Sequence, residues 1–384
     1  MLWNEDYYNE LLQSVTALLN EEQLEVIKII CARIKKVGEL NPTSVKQLRD
    51  LRKWQNADLK AIKAVIAKYT KLATDEIDNI FSDAAATSKG FADELAKAAA
   101  GITYQGNVEA LAKTAAKRYK DMLLNLSDTY AFKTNFGVLP IRQTYINVVN
   151  KAVAAVSTGT LDYNTAMRQT IKELADSGLR NVYEDGEVYE GRIRWINENN
   201  ETYYTRRVDS SVRMNVLEGI RQINQEVLND AGDKFATGYE ISAHDRPAPD
   251  HAEIQGMQYT KADYEQLNAS LARPIGTLNC MHIAFPIIYG VSKPTYTAEQ
   301  LEQFRENSDK EFKFEGKTYS GYECTQKQRE METAIRRHKA SREAAKAAGD
   351  TFLYQREKTA TAYAIKQYKR FSDAVGLDIK TSEL

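Results

Sequence analysis

Hydrophobic residues at helical spacing run through most of the first half of the chain, and this pattern constrains the fold most strongly. Apolar side chains recur every three or four residues over 24–37, 45–69, 108–126 and 141–156. Such spacing places them on one face of an α-helix. The first of these helices is predicted to begin at Asn20, whose side chain can cap it. The first half is therefore predicted to be a helical bundle or an elongated helical array.

From about residue 181 the pattern changes to short runs of β-prone residues. Asp185-Gly186 lies between two such runs, and the segments 192–196 and 203–208 alternate with a two-residue period. An Asp-Gly pair between alternating runs is typical of a β-hairpin. We therefore expect hairpins in this part of the chain.

Helical and strand patterns then alternate. Asp209 is predicted to cap a helix that ends near Gly232, and Thr260 to cap a second, shorter helix. Residues 239–243 and 283–288 are the expected strands. Together with the hairpins, these elements predict a compact α+β unit.

The C-terminal part, from about Gly321, is again helical and is rich in basic residues. A basic helix of this kind can lie along the phosphates of nucleic acid. The alternative is a solvated helix face, or one that rests on an acidic partner surface. The candidate nucleic-acid-binding residues are Lys327, Arg329, Arg336, Arg337, Lys339, Arg342 and Lys346.

The overall fold class is predicted to be α+β and predominantly α. A chain of 384 residues is long enough for more than one domain, since single cores stop growing at about 250–300 residues. We divide it into a helical docking region over 1–180, an α+β module with hairpins and His/Cys loops over 181–320, and a basic helical region over 321–384.

Charge and cysteine content narrow the functional class. Lys and Arg number 52 against 53 Asp and Glu, so no net field draws the whole chain to a polyanion. The first twelve residues are acidic, and no long apolar run follows, which predicts neither export nor membrane insertion by the chain's own signals. Three cysteines without framework spacing favour a reducing cytoplasm as the place of synthesis.

Three of the four histidines lie close in sequence to one cysteine: His244, His251, Cys280 and His282. Three histidine nitrogens and one cysteine thiolate make the donor set of a tetrahedral zinc site with a structural role. On an ideal strand the side chains of Cys280 and His282 would be too far apart to chelate, so a turn between them is required. The alternative is a hydrogen-bonded histidine cluster that braces the loops without metal.

The sequence patterns usual for enzymes are absent, so a non-enzymatic role is predicted. No nucleophile elbow, metalloprotease helix or dinucleotide fingerprint occurs, and the Gly316-Lys317-Thr318 stretch lacks the first glycine of a phosphate loop, which predicts a hairpin turn there. The competing hypothesis is a metal-dependent hydrolase or nuclease built on the same cluster, with His244, His251 and His282 around a zinc or manganese ion that has an open coordination position.

Several segments in order resemble the phage minor capsid protein 2 family, which is related to the Mu F-like minor head proteins. The resemblance is carried by Arg207–Met214, Glu240-Ile-Ser-Ala-His244, His251–Gly256, Asn279-Cys-Met-His282 followed by Pro286 and Gly290-Val-Ser, and Tyr319–Arg337.

Two segments depart from the family pattern. The family loop usually reads His-x-Gly-Ala-Arg-Pro-x-His, whereas here the arginine is at position 246 and the glycine is missing. The family's Asn-Cys-Arg-His has Met281 in place of the arginine. Any role that depends on those arginines is in doubt, while the histidine and cysteine donors are kept.

The resemblance implies a virion protein of a tailed bacteriophage, located in the head interior near the portal. It implies as partners the portal protein, major capsid or scaffold proteins and packaged double-stranded DNA, and as roles head assembly and DNA packaging or ejection.

Overall fold

Three long helices form the first part of the chain. The computed structural model describes residues 5–39, 45–134, 137–158, 163–184, 195–196, 202–276, 280 and 282–380. The helices are α1 (Glu5–Gly38), α2 (Val45–Ala100) and α3 (Val108–Asp128). The prediction that the first helix begins at Asn20 is wrong, because the buried stripe of α1 already includes Leu12, Val15 and Leu19.

A short hairpin and two helices follow. Strand β1 (Ala131–Thr134) pairs antiparallel with β2 (Gly137–Pro140), and α4 (Ile141–Thr158) and α5 (Tyr163–Ser177) come next. The sequence pattern missed this hairpin, because four-residue strands show too little alternation to stand out between helices.

The first sheet has the strand order β2-β1-β3-β5-β4. It adds β3 (Arg180–Glu184), β4 (Trp195–Ile196) and β5 (Thr202–Arg207), and β4 pairs antiparallel with β5 as the two-residue alternation predicted. The predicted turn at Asp185-Gly186 lies outside the described residues.

Helix α6 (Val208–Phe235) follows β5 directly and packs against α1, α2 and α3. The prediction that Asp209 caps this helix is wrong, since the N-cap residue is Arg207 and Asp209 lies buried in the first turn. Aromatic rings of α2 and α3 pack where α6 has a glycine: the rings of Phe81 and Tyr119 stack with centroids 5.3 Å apart, and a Cβ on Gly219 would collide with both.

The second sheet has the strand order β7-β6-β8. Its strands are β6 (Gly238–Ile241), β7 (Gln258–Thr260) and β8 (Ala284–Ile287). Both strands predicted from the sequence are therefore confirmed. Helix α7 (Lys261–Ser270) begins at Thr260, whose side chain accepts a hydrogen bond from the Asp263 N–H, as predicted.

The C-terminal part comprises α8 (Ala298–Asp309), the hairpin β9 (Phe312–Phe314) and β10 (Lys317–Tyr319), α9 (Gly321–Ala348) and α10 (Thr351–Val375). The predicted hairpin turn is confirmed: Glu315 and Gly316 have φ of 49° and 79°, as a type I′ turn requires. Helix α9 packs against α10, α1 and α5. Arg168 of α5 binds Asp350, the N-cap residue of α10, with Nε 2.7 Å from Oδ2.

Long helices and small antiparallel sheets confirm the predicted fold class, α+β and predominantly α. Strands on both sides of residue 180 share the first sheet, and Ala344, Ala345 and Leu353 belong to the same apolar core as α1 and α2. The division at residues 180 and 320 stays a prediction. Within the described residues, no helix has the length and apolar character needed to cross a membrane.

Candidate metal site in the second sheet

The pairing of β6 with β8 brings two distant segments together. Ile241 at the end of β6 lies opposite Ala284 at the start of β8. The Ser242 N–H donates to the Ile283 carbonyl at 2.8 Å, and the Ile283 N–H donates to Ser242 Oγ at 2.9 Å. Because the strands are antiparallel, the chain that leaves β6 and the chain that enters β8 lie at the same end of the sheet. These two segments carry the four predicted donors.

Three of the four predicted donors meet in the interior. The sulfur of Cys280 lies 3.3 Å from Nδ1 of His251 and 3.5 Å from Nδ1 of His282. One ligand atom from each of the three residues lies within 4.8 Å of the others. His251 is 1% exposed, and Cys280 and His282 are each 2% exposed. The predicted convergence of the two loops is therefore present in the fold.

The outer nitrogen of each buried histidine has an oxygen partner. Nε2 of His251 lies 2.7 Å from the carbonyl oxygen of Arg273, and Nε2 of His282 lies 3.1 Å from Oε1 of Gln255. The Gln255 oxygen also accepts from the backbone N–H of His244 at 3.1 Å, which fixes the orientation of the amide. Since these oxygens can only accept, each Nε2 carries the hydrogen, and the Nδ1 of a neutral ring presents a lone pair to the sulfur.

The surroundings of the cluster lower the pKa of both Cys280 and His282. Burial works to raise the pKa of Cys280, but hydrogen bonds from His251 and from the backbone at Gly276 and His282 outweigh it and leave the pKa below its usual value. Burial, together with the positive charge of neighbouring histidines and arginines, holds the pKa of His282 well below its usual value. Burial alone instead raises the pKa of Cys31 to about 12.

The pKa of His251 is shifted in the opposite direction from that of His282. Burial works to lower the pKa of His251, but its contacts with the Cys280 sulfur and the Arg273 carbonyl raise the pKa above the usual value. Thiolate and neutral imidazole are the forms that bind transition metals.

His244, the fourth predicted donor, lies beside the group. Its ring packs against the ring of His282 with centroids 4.5 Å apart, and its Nδ1 lies 3.0 Å from the Asp245 carbonyl oxygen. His244 is half-buried, whereas the other three donors are buried.

The loop between His244 and His251 is tied to the C-terminal helices. Arg246, with φ of 50°, donates from Nη2 to the Val375 carbonyl at 2.7 Å and lies 4.7 Å above the ring of Phe312. Asp245 accepts from Asn307 Nδ2 of α8 at 2.8 Å. The arginine that departs from the family pattern therefore anchors the loop here.

The predicted nucleic-acid-binding residues all lie on α9. From Lys327 to Lys346 they extend over about 28 Å of helix, at about 1.5 Å per residue. Arg329, Arg337 and Lys346 are exposed. Lys327 pairs with Glu330 at 2.9 Å and Arg342 with Glu343 at 2.9 Å. Arg336 and Lys339 are half-buried.

Sequence reasoning missed two residues that complete the site. Gln255 lies one helical turn after His251, at the four-residue spacing that brings side chains to one face, and this spacing was the available signal. Arg273 contributes a backbone carbonyl, which leaves no mark in a sequence.

Comparisons with known proteins agree with these observations. The family model described as Phage minor capsid protein 2 matches residues 3–372. A structural protein of Lactococcus phage LL-H is 25% identical over 253 residues, which make up 62% of this chain and 60% of that protein. The chain thus spans less than two thirds of that relative's length. The search of solved structures found no match.

The matched range takes in the helical first half, both sheets, the His/Cys cluster and most of α10. It therefore covers the parts of the chain that carried the sequence resemblance and also the helical half, where no motif was recognised. The chain belongs to the phage minor capsid protein 2 family.

Proposed function

We propose that this protein is a portal-associated minor component of the phage head that acts in head assembly. The family match over residues 3–372 carries this proposal, and the phage structural protein that is 25% identical supports it. The proposed location is the head interior near the portal, with the portal protein and the major capsid or scaffold proteins as partners. Antibody labelling of opened heads tests the location: label at one vertex supports it, and label over the whole shell contradicts it.

The helical first half is the proposed docking region for the portal. Its surface includes three large apolar side chains: Leu72 of α2, Ile102 between α2 and α3, and Leu124 of α3, which are 40%, 51% and 51% exposed. Exposed apolar side chains of this size are typical of protein interfaces when they group together. Helices α2 and α3 also contact each other through an ion pair of Lys120 and Asp78, with Nζ 2.7 Å from Oδ2.

Co-expression with the portal protein of the same phage tests the docking surface. Leu72→Glu with Leu124→Glu should reduce the amount of portal that co-purifies by at least about tenfold, since about 1.4 kcal/mol corresponds to a factor of ten. Val291→Glu is the matched control, because Val291 is also an exposed apolar residue but lies beyond β8. Unchanged portal binding by the double variant, or equal loss by the control, contradicts the assignment.

A contact between α9 and packaged DNA is the second part of the proposal. Helix α9 carries seven Lys and Arg residues against four Glu residues. Exposed basic residues over about 28 Å of helix can approach several successive phosphates. This local excess supports DNA contact in a chain whose overall net charge is −1.

Filter binding of the full chain to duplex DNA across a salt series tests the contact. Arg329→Glu, Arg337→Glu and Lys346→Glu together should weaken binding and lower the slope of log affinity against log salt by about 2–3. The control variant carries Lys60→Glu, Lys63→Glu and Lys68→Glu at exposed positions of α2. It makes the same change of net charge but should bind DNA more tightly than the α9 variant. Equal effects of the two triple variants, or no salt dependence in the wild type, contradict a site on α9.

A further inference from the structure

We propose that His251, Cys280 and His282 bind one Zn²⁺ ion, with His244 as the fourth ligand, and that this ion stabilises the fold of the second sheet. The inference concerns the His/Cys cluster and does not depend on portal or DNA binding. It stands on the distances between the donor atoms, on their hydrogen-bond partners and on the small size of the core around them.

The distances between donor atoms fit a tetrahedral zinc ion. With Zn–S of about 2.3 Å and Zn–N of about 2.0–2.1 Å, a sulfur and a nitrogen bound to the same ion lie about 3.6 Å apart. The two sulfur–nitrogen distances at Cys280 are 3.3 Å and 3.5 Å. Both are within a few tenths of an ångström of the expected separation, and the three ligand atoms all lie within 4.8 Å of one another.

The cluster has too few hydrogen atoms to give both Nδ1 atoms a hydrogen-bond donor. Each histidine uses Nε2–H for an oxygen acceptor, Arg273 O or Gln255 Oε1, so both Nδ1 atoms and the sulfur face one another. A thiol hydrogen or an additional proton can serve one nitrogen but leaves the other without a donor. A zinc ion satisfies both nitrogens and the thiolate at once, and its binding releases the thiol proton of Cys280.

The outer partners are those expected around a bound metal. Metal-ligating histidines usually donate their other N–H to a carbonyl or carboxylate, which fixes the ring and the tautomer. The Arg273 carbonyl at 2.7 Å and the Gln255 side chain at 3.1 Å have this role here. The same two contacts keep Nδ1 of each ring directed at the sulfur.

Burial and donor type identify the ion and its role. A thiolate with imidazoles selects zinc over Mg²⁺ or Ca²⁺, which prefer oxygen ligands. Catalytic zinc sites keep a coordination position open to substrate, whereas structural sites are closed by protein ligands. The three central donors are at most 2% exposed, which favours a closed structural site over the hydrolase hypothesis.

The apolar cluster next to the His/Cys group is small, although Ile283 and Phe285 beside it pack into the main core. The apolar cluster of the second sheet consists of Tyr239, Ile241, Ile275, Cys280 and Ala284. Small cores supply little stabilisation, and proteins commonly add a metal or disulfides to them. The three cysteines of the chain are free and buried, so a metal ion would cross-link the segment that follows β6 to the segment that precedes β8.

Metal analysis of the purified full chain tests the proposal. We expect about one zinc per chain in the wild type by inductively coupled plasma mass spectrometry, and at least a tenfold loss in Cys280→Ser and in His251→Ala. Cys324→Ser is the matched control, because Cys324 is also a buried free cysteine, and it should keep its zinc. Gln255→Leu should weaken zinc affinity about 10- to 100-fold.

Cobalt reports the ligands directly and keeps the test valid if a zinc-free variant does not fold. The wild type loaded with Co²⁺ should show a sulfur-to-cobalt charge-transfer band and the intense visible bands of a tetrahedral site. His251→Cys keeps four ligands, so it should retain the metal and show a stronger charge-transfer band. His244→Ala should lose intensity in the visible bands as the site opens to solvent.

Three outcomes overturn the proposal. A folded wild type that contains no zinc and gives no band with cobalt has no site. Zinc retained by folded Cys280→Ser places the ion elsewhere. Unchanged visible bands in His244→Ala exclude that residue as the fourth ligand.

Discussion

The helical first half and the second sheet are stabilised in different ways. The main core joins α1, α2, α3, α4 and α6 through many fully buried apolar side chains, among them Ile27, Ile77, Phe81 and Val216. The second sheet has a much smaller apolar cluster with a histidine–cysteine group at its edge. One chain thus combines extensive apolar burial between its helices with a small apolar cluster and a buried His/Cys group beside the three-stranded sheet.

Three polar side chains in the helical half, Arg33, Asp58 and Tyr145, connect three of its helices. Arg33 of α1 pairs with Asp58 of α2, with Nε 2.6 Å from Oδ2, and Tyr145 of α4 donates to the same carboxylate at 2.5 Å. Trp54 lies under the Arg33 guanidinium at 4.4 Å. Hydrogen bonding to Asp58 raises the pKa of Arg33. Each member of this group has a partner within the group, so the group links the three helices without a bound ligand.

Truncation in the main core should have the largest effect. Phe81→Ala removes a fully buried ring that stacks on Tyr119, and it should lower the free energy of unfolding by about 3–5 kcal/mol. Chemical denaturation followed by far-UV circular dichroism measures the change. Phe352→Ala, at an exposed phenylalanine, should change little. Equal effects at both positions would mean that the main core does not dominate stability.

Removal of the carboxylate that links three helices should have the next largest effect. Asp58→Ala leaves Arg33 nearly buried without its partner and should lower the free energy of unfolding by about 3 kcal/mol. Tyr145→Phe removes only one hydrogen bond and should lower it by about 1 kcal/mol. Denaturation curves for both variants decide this. A larger loss for Tyr145→Phe than for Asp58→Ala would exclude the carboxylate as the centre of the group.

A buried acid in α1 should make the helical half sensitive to pH. Burial raises the pKa of Glu22 to about 8, although a hydrogen bond with Tyr130 lowers it in part. An acid whose pKa is higher in the folded state is protonated there while the unfolded chain loses its proton. Its contribution to the free energy of unfolding is therefore complete below about pH 4.5 and is lost as pH rises towards 8.

Glu22→Gln should remove this dependence. Between pH 5 and pH 8 the wild type should lose about 2–3 kcal/mol relative to the variant, since one pKa unit corresponds to about 1.4 kcal/mol. Denaturation midpoints at pH 5, 6.5 and 8 give the measurement. Glu21→Gln is the control at the exposed neighbouring position. Parallel pH curves for the wild type and Glu22→Gln would show that Glu22 is ionised in the folded state.

Gly256, in the turn that follows His251, should give a smaller effect than the Phe81, Asp58 and Glu22 substitutions, in and around the second sheet. Gly256 has φ of +72°, and a Cβ there would collide with the side chain of Leu301. Gly256→Ala should destabilise the module by about 2 kcal/mol, measured by hydrogen exchange of β6 and β8. Gly290→Ala, with φ of +78° and open space around it, should destabilise less. An equal effect of both would exclude the Leu301 contact as a cause.

Sequence patterns predicted the elements whose evidence is local. Helical periodicity indicated the bundle, and the predicted cap at Thr260 was confirmed, because an N-cap needs only contacts within one turn. The caps predicted at Asn20 and Asp209 were wrong. The continuous start of α1 was missed, because Asn20 resembles a cap although the apolar stripe continues before it. The hairpin of β1 and β2 was missed because its strands gain stability from pairing rather than from their own pattern.

The donors of the candidate site could be predicted, but their environment could not. Histidine and cysteine are rare enough in this chain to stand out, and the pairing of β6 with β8 brought them together. The partners that orient them are remote or belong to the backbone: Arg273 O is 22 residues from His251, and the Val375 carbonyl is 129 residues from Arg246. Such contacts depend on the tertiary fold, which a single sequence does not display.

Hydrogen exchange of the full chain, measured after loading with Zn²⁺ and again after treatment with a chelator, tests the contrast between the two regions most directly. We predict faster exchange after chelation in peptides from residues 238–290 and no change in peptides from α1, α2 and α6. Restoration of protection by added Zn²⁺ should follow. Unchanged exchange in 238–290, or an equal increase throughout the helical half, would contradict the account.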